Sequence, residues 1–580
     1  MAKSKKEETP EYKRVIKDKQ KILKQYLREK DYAIKLRQVK INGWIENEES
    51  FNLIGKKTLL TRSNLHNPVV FEGVQNMGSK LGALPECDFD TIPEGDENAS
   101  EIMKHVVKQD LDDCNAELIY EQSKTEGGIY GRTIYKVIPG NDKQTVELVD
   151  TLAYLISPIA KDTKSALYQG QQFIYKTIEQ IEDEAEEMGY DMEEVKKLKE
   201  HKEGSETQVL ANSEASLKNI RMANMSLANV TNYGSKVFEI TEWVTYIKGV
   251  LSHLTVANDI YLLRAIPSIE LGLTRPNFCS WGTYPRGITF WCLSVADIYR
   301  DPNLAVDVNM NQQIDNNTYR NFGMAFVSSR SGLKQSSINP RPLGLTTIQC
   351  APGEKISDQI FYPPVPEIGQ AMQVMQTIKG MADSASGLSP NINPGKGGKI
   401  SVTMQAKLNA EVEEKIKVMR KNVTNCWQEI YQLMADITTT KMTKPRKVKI
   451  FGYKNLTLSD VTKANFKDVT LVARAIPSED SSQNKAIKQK AKIDLYTLFK
   501  DDPKIPGQLA LRRSVAKTFD IDPEEIEAYF TQEDAPKAEP GKMPGGPVGG
   551  ADVSGKAPSD ATPLISATAS GAANNVPKMI

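Results

Sequence analysis

The sequence predicts an α+β protein, with strands and helices gathered in separate stretches. Three observations predict it. Residues 237–257 alternate apolar and polar side chains on either side of Lys248 and Gly249, the pattern of a β-hairpin. Residues 404–437 instead place Met404, Leu408, Val412, Ile416, Met419, Val423, Trp427, Ile430, Met434 and Ile437 three or four apart, a helical stripe. That stretch makes a helix of roughly 50 Å at about 1.5 Å per residue. Third, the strand-like, turn-rich residues 324–363 form a small β-rich module between two helical stretches.

Composition narrows the function. At 580 residues the chain can bury a sizeable core and holds several domains. Its 74 basic and 74 acidic residues cancel, so it is no bulk polycation and any nucleic-acid contact is local. Hydrophobic residues make up 39% and charged residues 26%, with no apolar run approaching a membrane span and no apolar core to the Met1 end that would read as a secretory signal. The six cysteines stand apart without a CxxC, and the four histidines (66, 105, 201, 253) lie in no metal-binding spacing. Neither a disulfide framework, a metal site nor a cofactor is predicted.

Taken in order, residues 1–37 predict an amphipathic helix through Ile16, Ile22, Leu23, Tyr26 and Leu27, with a solvated lysine- and glutamate-rich face. Residues 38–75 read as mixed, with Val69, Val70 and Phe71 as a short strand after Pro68. Residues 100–123 predict one helix with Ile102, Val106, Val107, Leu111, Cys114, Leu118 and Ile119 on one face. Gly127 and Gly128 end it, and residues 129–138 and 144–150 form a hairpin turning at Gly140. Residues 176–207 are acidic and helical, 208–235 polar and of low complexity, so 176–235 reads as an insertion. The aromatics and prolines of 274–291 form a packed corner rather than a base-stacking platform. From Ile288 a helix runs to Gly323, interrupted or kinked at Pro302, with an amide-rich face of Asn309, Asn311, Gln312, Gln313, Asn316 and Asn317.

A second helix follows Pro366. Its stripe of Ile368, Ala371, Met372, Met375, Ile378 and Ala382 leads to a glycine- and proline-rich loop from Ser384 to Lys399, and the long helix follows. Strands are predicted at 448–451 and 469–473, helices at 481–499 and 506–519, and a further helix start at Asp522 and Pro523. From Asp534 the chain has too few large apolar groups to order itself and reads as disordered.

No catalytic constellation emerges. Gly395-Lys396-Gly397-Gly398-Lys399 looks like a phosphate loop, but Ile400 stands where Ser or Thr is needed, and the stretch Gly55–Thr58 fails the same test. GxSxG and HExxH are absent. An ATP-driven motor or an enzyme is therefore not predicted.

The order of parts resembles the portal protein of tailed bacteriophages, above all that of short-tailed phages. The residues that carry the likeness are Gly127 to Pro139, with Tyr130-Gly131-Arg132-Thr133; Gln312 to Asn316; Tyr362 to Pro366; and Ala382 to Gly387, leading into the loop and the long helix. The resemblance implies a phage portal fold with a wing over 1–287, a first stem helix over 288–323 and a clip over 324–364. It further implies a second stem helix over 365–383, a tunnel loop over 384–401, a long wing helix over 402–441, wing strands over 442–479 and a helical crown over 480–533. It implies a ring, a homo-oligomer of about twelve copies, at one capsid vertex of a virion, assembled in the host bacterial cytoplasm. Double-stranded DNA passes through its channel without sequence readout. Terminase large subunit, head-tail adaptor and tail proteins, major capsid protein and scaffolding protein are the implied partners, with no membrane. Within that frame Lys396, Lys399, Asn391 and Asn393 face the DNA from the tunnel loop, because rings of lysine contact phosphate electrostatically. Arg330, Lys334 and Arg341 are the clip residues offered to an adaptor. The alternatives are a translocase or nuclease subunit of another kind, which the missing phosphate loop and acidic metal cluster argue against, and a helical scaffold protein of the virion.

Overall fold

A computed structural model describes residues 19–54, 61–92, 97–140, 143–200, 237–321, 326–327, 352–353, 355, 360–361, 371–388, 402–442, 445–451, 456–462, 466 and 469–477. The chain divides into two compact units, Met1–Asp501 and Asp502–Ile580, and every described residue lies in the first. The predicted helices over 480–533 and the tail over 534–580 lie outside the described residues.

Helix α1 (Lys19–Phe51) runs past residue 37, where the predicted helix ends, into the stretch read as mixed; residues 1–18 of the prediction lie outside the described residues. Ile22, Tyr26, Ala33, Ile41 and Trp44 recur three to eight residues apart and are buried, while Tyr32 and Val39 on the far side are exposed. Helix α2 (Val69–Leu81) replaces the predicted strand at 69–71. Val70, Val74, Met77 and Leu81 bury one helical face, and this outweighs the β-preference of two adjacent valines.

Strand β1 (Glu86–Ile92) precedes helices α3 (Glu97–Asp113) and α4 (Ala116–Tyr130). The single helix predicted over 100–123 is thus two. Asn115 breaks it with φ 54°, a left-handed conformation that Asn tolerates, and beyond the break Leu118 is left exposed. Gly127 and Gly128 do not end α4. They lie inside it because the packing has no room for a Cβ: one on Gly128 would stand 2.7 Å from Val74 Cγ1, and one on Gly127 would overlap the Trp281 ring. The helix ends at Gly131, φ 81°, whose N–H returns to the Gly127 carbonyl at 3.0 Å.

The strands form two main sheets. Strands β2 (Arg132–Ile138) and β3 (Thr145–Val149) make the predicted hairpin. Next come β4 (Tyr154–Ile156), β5 (Tyr168–Thr177), helices α5 (Ile178–Met188) and α6 (Met192–Glu200), and β6 (Val237–Ile247), β7 (Val250–Ala257) and β8 (Tyr261–Pro267). Strands β4 to β8 run in sequence order as a five-stranded antiparallel sheet. Lys248 (φ 51°) and Gly249 (φ 85°) close the β6–β7 hairpin, both with the positive φ that a tight hairpin turn demands. One face of this sheet packs Trp243, Leu254 and Val256 on Ile22 and Tyr26 of α1. The polar residues of α1 there are also matched: Glu29 accepts hydrogen bonds from Trp243 Nε1 (3.0 Å) and Thr245 Oγ1 (3.1 Å), and Lys30 reaches Asp259 at 2.7 Å. The other face carries α5 and α6 through Ile181, Ala185, Tyr190, Val195 and Leu198. Residues 178–200 are therefore built onto the sheet; residues 201–236 lie outside the described residues. Thr177 starts α5 with a reciprocal capping box to Gln180.

Strand β9 (Phe278–Gly282) joins the second sheet in the order β3-β2-β9. The aromatic corner is core, as predicted: Trp281, Phe290 and Trp291 are buried, and Trp44 meets Trp291 edge-on at 4.7 Å. Helix α7 (Val295–Asn321) starts later than predicted, since Ile288 is exposed in the preceding loop. Ser294 sets the start: its hydroxyl accepts the Asp297 N–H (2.8 Å) and its own N–H donates to the Asp297 carboxylate (3.0 Å). Pro302 is the eighth residue of the helix and does not interrupt it.

Strands β10 (Phe326–Val327) and β11 (Ile360–Phe361) pair antiparallel within the predicted β-rich module. Helix α8 (Ala371–Ser386) and helix α9 (Val402–Lys441) follow, the latter spanning the residues of its predicted stripe. From Ile416 onward that stripe is the centre of the main core, with Trp427 in ring contact with Tyr120, Tyr135 and Tyr431. Strands β12 (Arg446–Phe451), β13 (Leu456–Val461) and β14 (Thr470–Ile476) complete the described chain; β12 pairs with β13, and β14 with β1. The fold is α+β, as predicted.

Candidate functional site

The predicted site is the loop between α8 and α9, so its geometry is set by what holds the two arms. Lys396, Lys399, Asn391 and Asn393 lie outside the described residues, as do Arg330, Lys334 and Arg341. The entry to the loop is described. The sequence predicts that irregular chain begins at Ser384; instead α8 continues to Ser386 and stops at Gly387, φ 72°. Ser386 and Leu388 are buried.

A hydrogen-bonded knot fixes this end of α8. Buried Tyr299 of α7 bonds Asp383 Oδ1 and Ser386 Oγ, each at 2.8 Å. Tyr284 donates to the Ser386 carbonyl at 2.6 Å, and the Leu388 N–H donates to Ser386 Oγ at 3.2 Å. Burial pushes the Tyr299 and Tyr284 phenols well above their ordinary range, so both remain protonated donors. The other arm is tied through α9. Arg420 donates to the Lys80 carbonyl (2.8 Å) at the end of α2, and Asn422 donates to the Gly282 carbonyl (3.1 Å) on β9. Helix α2 also packs α7, and Gly73 is required there, since a Cβ would come within 2.9 Å of the Tyr299 ring. The loop thus springs from a fixed end of α8, while the contacts that hold α9 lie well along that helix.

A second feature sits on α7. Asn303, Asp307, Asn311 and Asp315 stand four residues apart and accept from the backbone of residues 62–69. Val69 N–H reaches Asn303 (3.1 Å), Asn67 N–H reaches Asp307 (2.7 Å), Leu65 N–H reaches Asn311 (2.7 Å), and Ser63 N–H reaches Asp315 (2.9 Å). The match is geometric. Four helical residues advance about 6 Å, and two extended residues advance about 6.6 Å. Every second amide of the segment therefore meets one rung. The Ser63 hydroxyl, with the Arg62 and Ser63 amides, holds the Asp315 carboxyl below its ordinary range. Of the predicted amide-rich face, Asn311 is a rung of this ladder. The rungs Asn303, Asp307 and Asp315, and the knot residues Tyr299, Asp383 and Ser386, were not predicted. A four-residue recurrence of short acceptors from 303 to 315 is the signal that marks the ladder; nothing local marks the knot.

Among the described residues no group of three or more His, Cys, Asp or Glu side chains is placed to hold a metal, and no helix is long and apolar enough to cross a membrane.

The family model for the Phage SU10 portal protein matches residues 79–460, from the end of α2 through β13. The chain belongs to this phage portal protein family. The match takes in α7, α8, the loop and α9 as one continuous unit, which is also the stretch that carries the portal resemblance in the sequence. A comparison with curated proteins finds no match. Portal proteins of this family are structural rather than enzymatic and belong to the capsid vertex of the virion.

Proposed function

We propose that this portal protein forms a ring of about twelve copies at one capsid vertex, and that the phage genome is packaged and ejected through its axial channel. The observation that carries the reading is the family match over 79–460, which spans both arms of the loop and the loop itself. The wing is formed by residues 1–287 with 402–441 and 442–479, the stem by 288–323 and 365–383, the clip by 324–364, the tunnel loop by 384–401 and the crown by 480–533. Lys396 and Lys399, with Asn391 and Asn393, meet DNA phosphates as repeated rings of charge. Such contact is electrostatic and independent of sequence. A net charge of zero suits a channel that must let DNA slide. Terminase large subunit during packaging, and head-tail adaptor and tail proteins afterwards, dock on the clip through Arg330, Lys334 and Arg341. Major capsid and scaffolding proteins surround the wing, and assembly takes place in the host cytoplasm.

Native mass spectrometry of the purified protein without DNA tests the ring: copies near twelve are expected, and a monomer at all concentrations overturns it. The loop assignment is tested by Lys396→Ala with Lys399→Ala. Packaging falls while ring formation is retained; unchanged packaging removes these lysines from the channel.

A further inference from the structure

A groove of about 680 Å³ lies where the chain leading into β1 meets α3, α4 and α9. Leu84, Leu111 and Tyr431 line it, with Leu84 only partly buried, and Leu118 at the start of α4 leaves 60% of its surface exposed there. Five charged residues surround these side chains: Glu86, Lys104, Lys108, Asp112 and Glu117. Lys104 is taken by Asp88 at 3.1 Å. Lys108 and the three carboxylates are exposed, and none of them makes an ion pair among the described residues. The groove is therefore apolar within and acidic at its rim, with Lys108 as its one unpaired base.

Strand β14 ends beside this groove. Ile476 pairs with Glu86, so the chain leaves the described fold alongside Pro85 and Leu84, at one end of the groove. The next element the sequence predicts is the helix over 481–499. Along it Ile487, Ala491, Leu495 and Leu498 stand four, four and three apart, an apolar stripe of about 16.5 Å. Lys485, Lys488, Lys490 and Lys492 are the bases of that helix and Asp494 its one acid. A helix of this length is marginal in water on its own and is stabilised by packing its apolar face.

We infer that the helix over 481–499 docks in this groove of its own chain, with Ile487, Ala491, Leu495 and Leu498 inside and its lysines at the acidic rim. The charges are complementary in both senses: four lysines and one aspartate on the helix meet three carboxylates and one lysine on the rim. A second copy offers the same groove. The segment, however, starts at the end of its own groove, and so short a tether holds it there at an effective concentration on the order of millimolar. The crown assigned to 480–533 thereby gains a seat on the wing, and the contact does not depend on ring formation.

The test uses the full chain and two measurements. In the first, equal amounts of ¹⁵N-labelled and unlabelled protein are mixed and treated with a carbodiimide, which joins a lysine to a carboxylate in contact with it. Peptide mass spectrometry then maps the links. Links from Lys485, Lys488, Lys490 or Lys492 to Asp112 or Glu117 are expected, with both peptides carrying the same isotope. Links of mixed isotope assign the groove to a second copy and overturn the inference, as does the absence of links between these residues. The second measurement is hydrogen exchange over 487–498 in the parent chain and in Leu118→Asp. Exchange there rises by on the order of tenfold in the variant, while the amides of α3 and α4 keep their protection and show that the groove itself still folds. Leu495→Asp gives the same rise from the other side of the contact and serves if Leu118→Asp disturbs α4. Exchange over 487–498 that neither substitution changes overturns the inference. These failures leave the ring reading standing, since the copy number is measured separately.

Discussion

Tyr299 shows how much one hydroxyl can hold. It joins α7 to the last turn of α8, and it is buried together with Asp383 and Ser386. Tyr299→Phe keeps the ring and removes the donor, so a carboxylate and a hydroxyl lose their partner in a largely buried site. The expected cost is about 1–3 kcal/mol, measured as a lowered denaturant midpoint. Tyr284→Phe takes away a bond to a backbone carbonyl alone and costs about 1 kcal/mol. Equal effects for the two variants would show that Asp383 does not depend on Tyr299. Glycines in contact regions follow the same logic of room. Gly128→Ala must displace Val74, and Gly73→Ala must displace the Tyr299 ring, so Gly73→Ala loosens the knot from the opposite side.

At the scale of elements, what the sequence made legible was periodicity, and what it hid was competition. The α9 stripe and the β6–β7 hairpin were legible because each repeats one rule over many residues. The strand misread at 69–71 is a case of competition: three β-formers begin a helix because Val70, Val74, Met77 and Leu81 share one buried face. The break at Asn115 depends on one backbone angle, and the start of α7 on one serine–aspartate pair, so neither shows in an apolar pattern. Of the candidate site, the loop's position between two helices was legible from glycine and proline, but its anchor was not. Tyr299 and Ser386 are brought together from distant parts of the chain. The ladder on α7 makes its own prediction. Asp307→Leu removes the rung that serves both the amide and the side chain of Asn67. Hydrogen exchange at the amides of Leu65, Asn67 and Val69 then speeds up, while the amides of α7 itself keep their protection because their acceptors are helical carbonyls. Loss of protection throughout α7 would mean that the segment holds the helix rather than the reverse.

At the scale of the whole molecule, the five-stranded sheet makes the fold sensitive to acid. Glu242 on β6 and His253 on β7 both sit on the face that packs towards Lys136 and Arg264. Burial alone would raise the Glu242 carboxyl, but Lys136, at 2.7 Å, and Arg264 overrule it and hold it at about 2. Burial drives the His253 imidazole down to about 3, helped by Arg264 and Lys136 and opposed by Glu242. Lys441 adds a weaker push in the downward direction. Both folded values lie below those of the unfolded chain, near 6.5 for His and near 4.3 for Glu. The unfolded state therefore binds more protons, and both groups lose stability as pH falls. The His253 contribution is complete above about pH 6.5 and is lost towards pH 3; that of Glu242 is complete above about pH 4.3 and is lost towards pH 2. Between about pH 6 and pH 4.5 the His253 contribution falls by a slope that approaches about 1.4 kcal/mol per pH unit, and His105, also lowered by burial, adds to the loss. His253→Gln keeps a polar side chain of similar size and removes this titration, so the denaturant midpoint loses most of its slope across that interval. Lys136→Met acts differently, removing the cation bonded to Glu242 and leaving Arg264 as its main counter-charge, at a cost on the order of 3 kcal/mol at neutral pH. The cost shrinks as acid protonates the carboxylate. A slope between pH 6 and 4.5 that His253→Gln leaves unchanged would place the acid sensitivity elsewhere and show that His253 is not held neutral in the folded sheet.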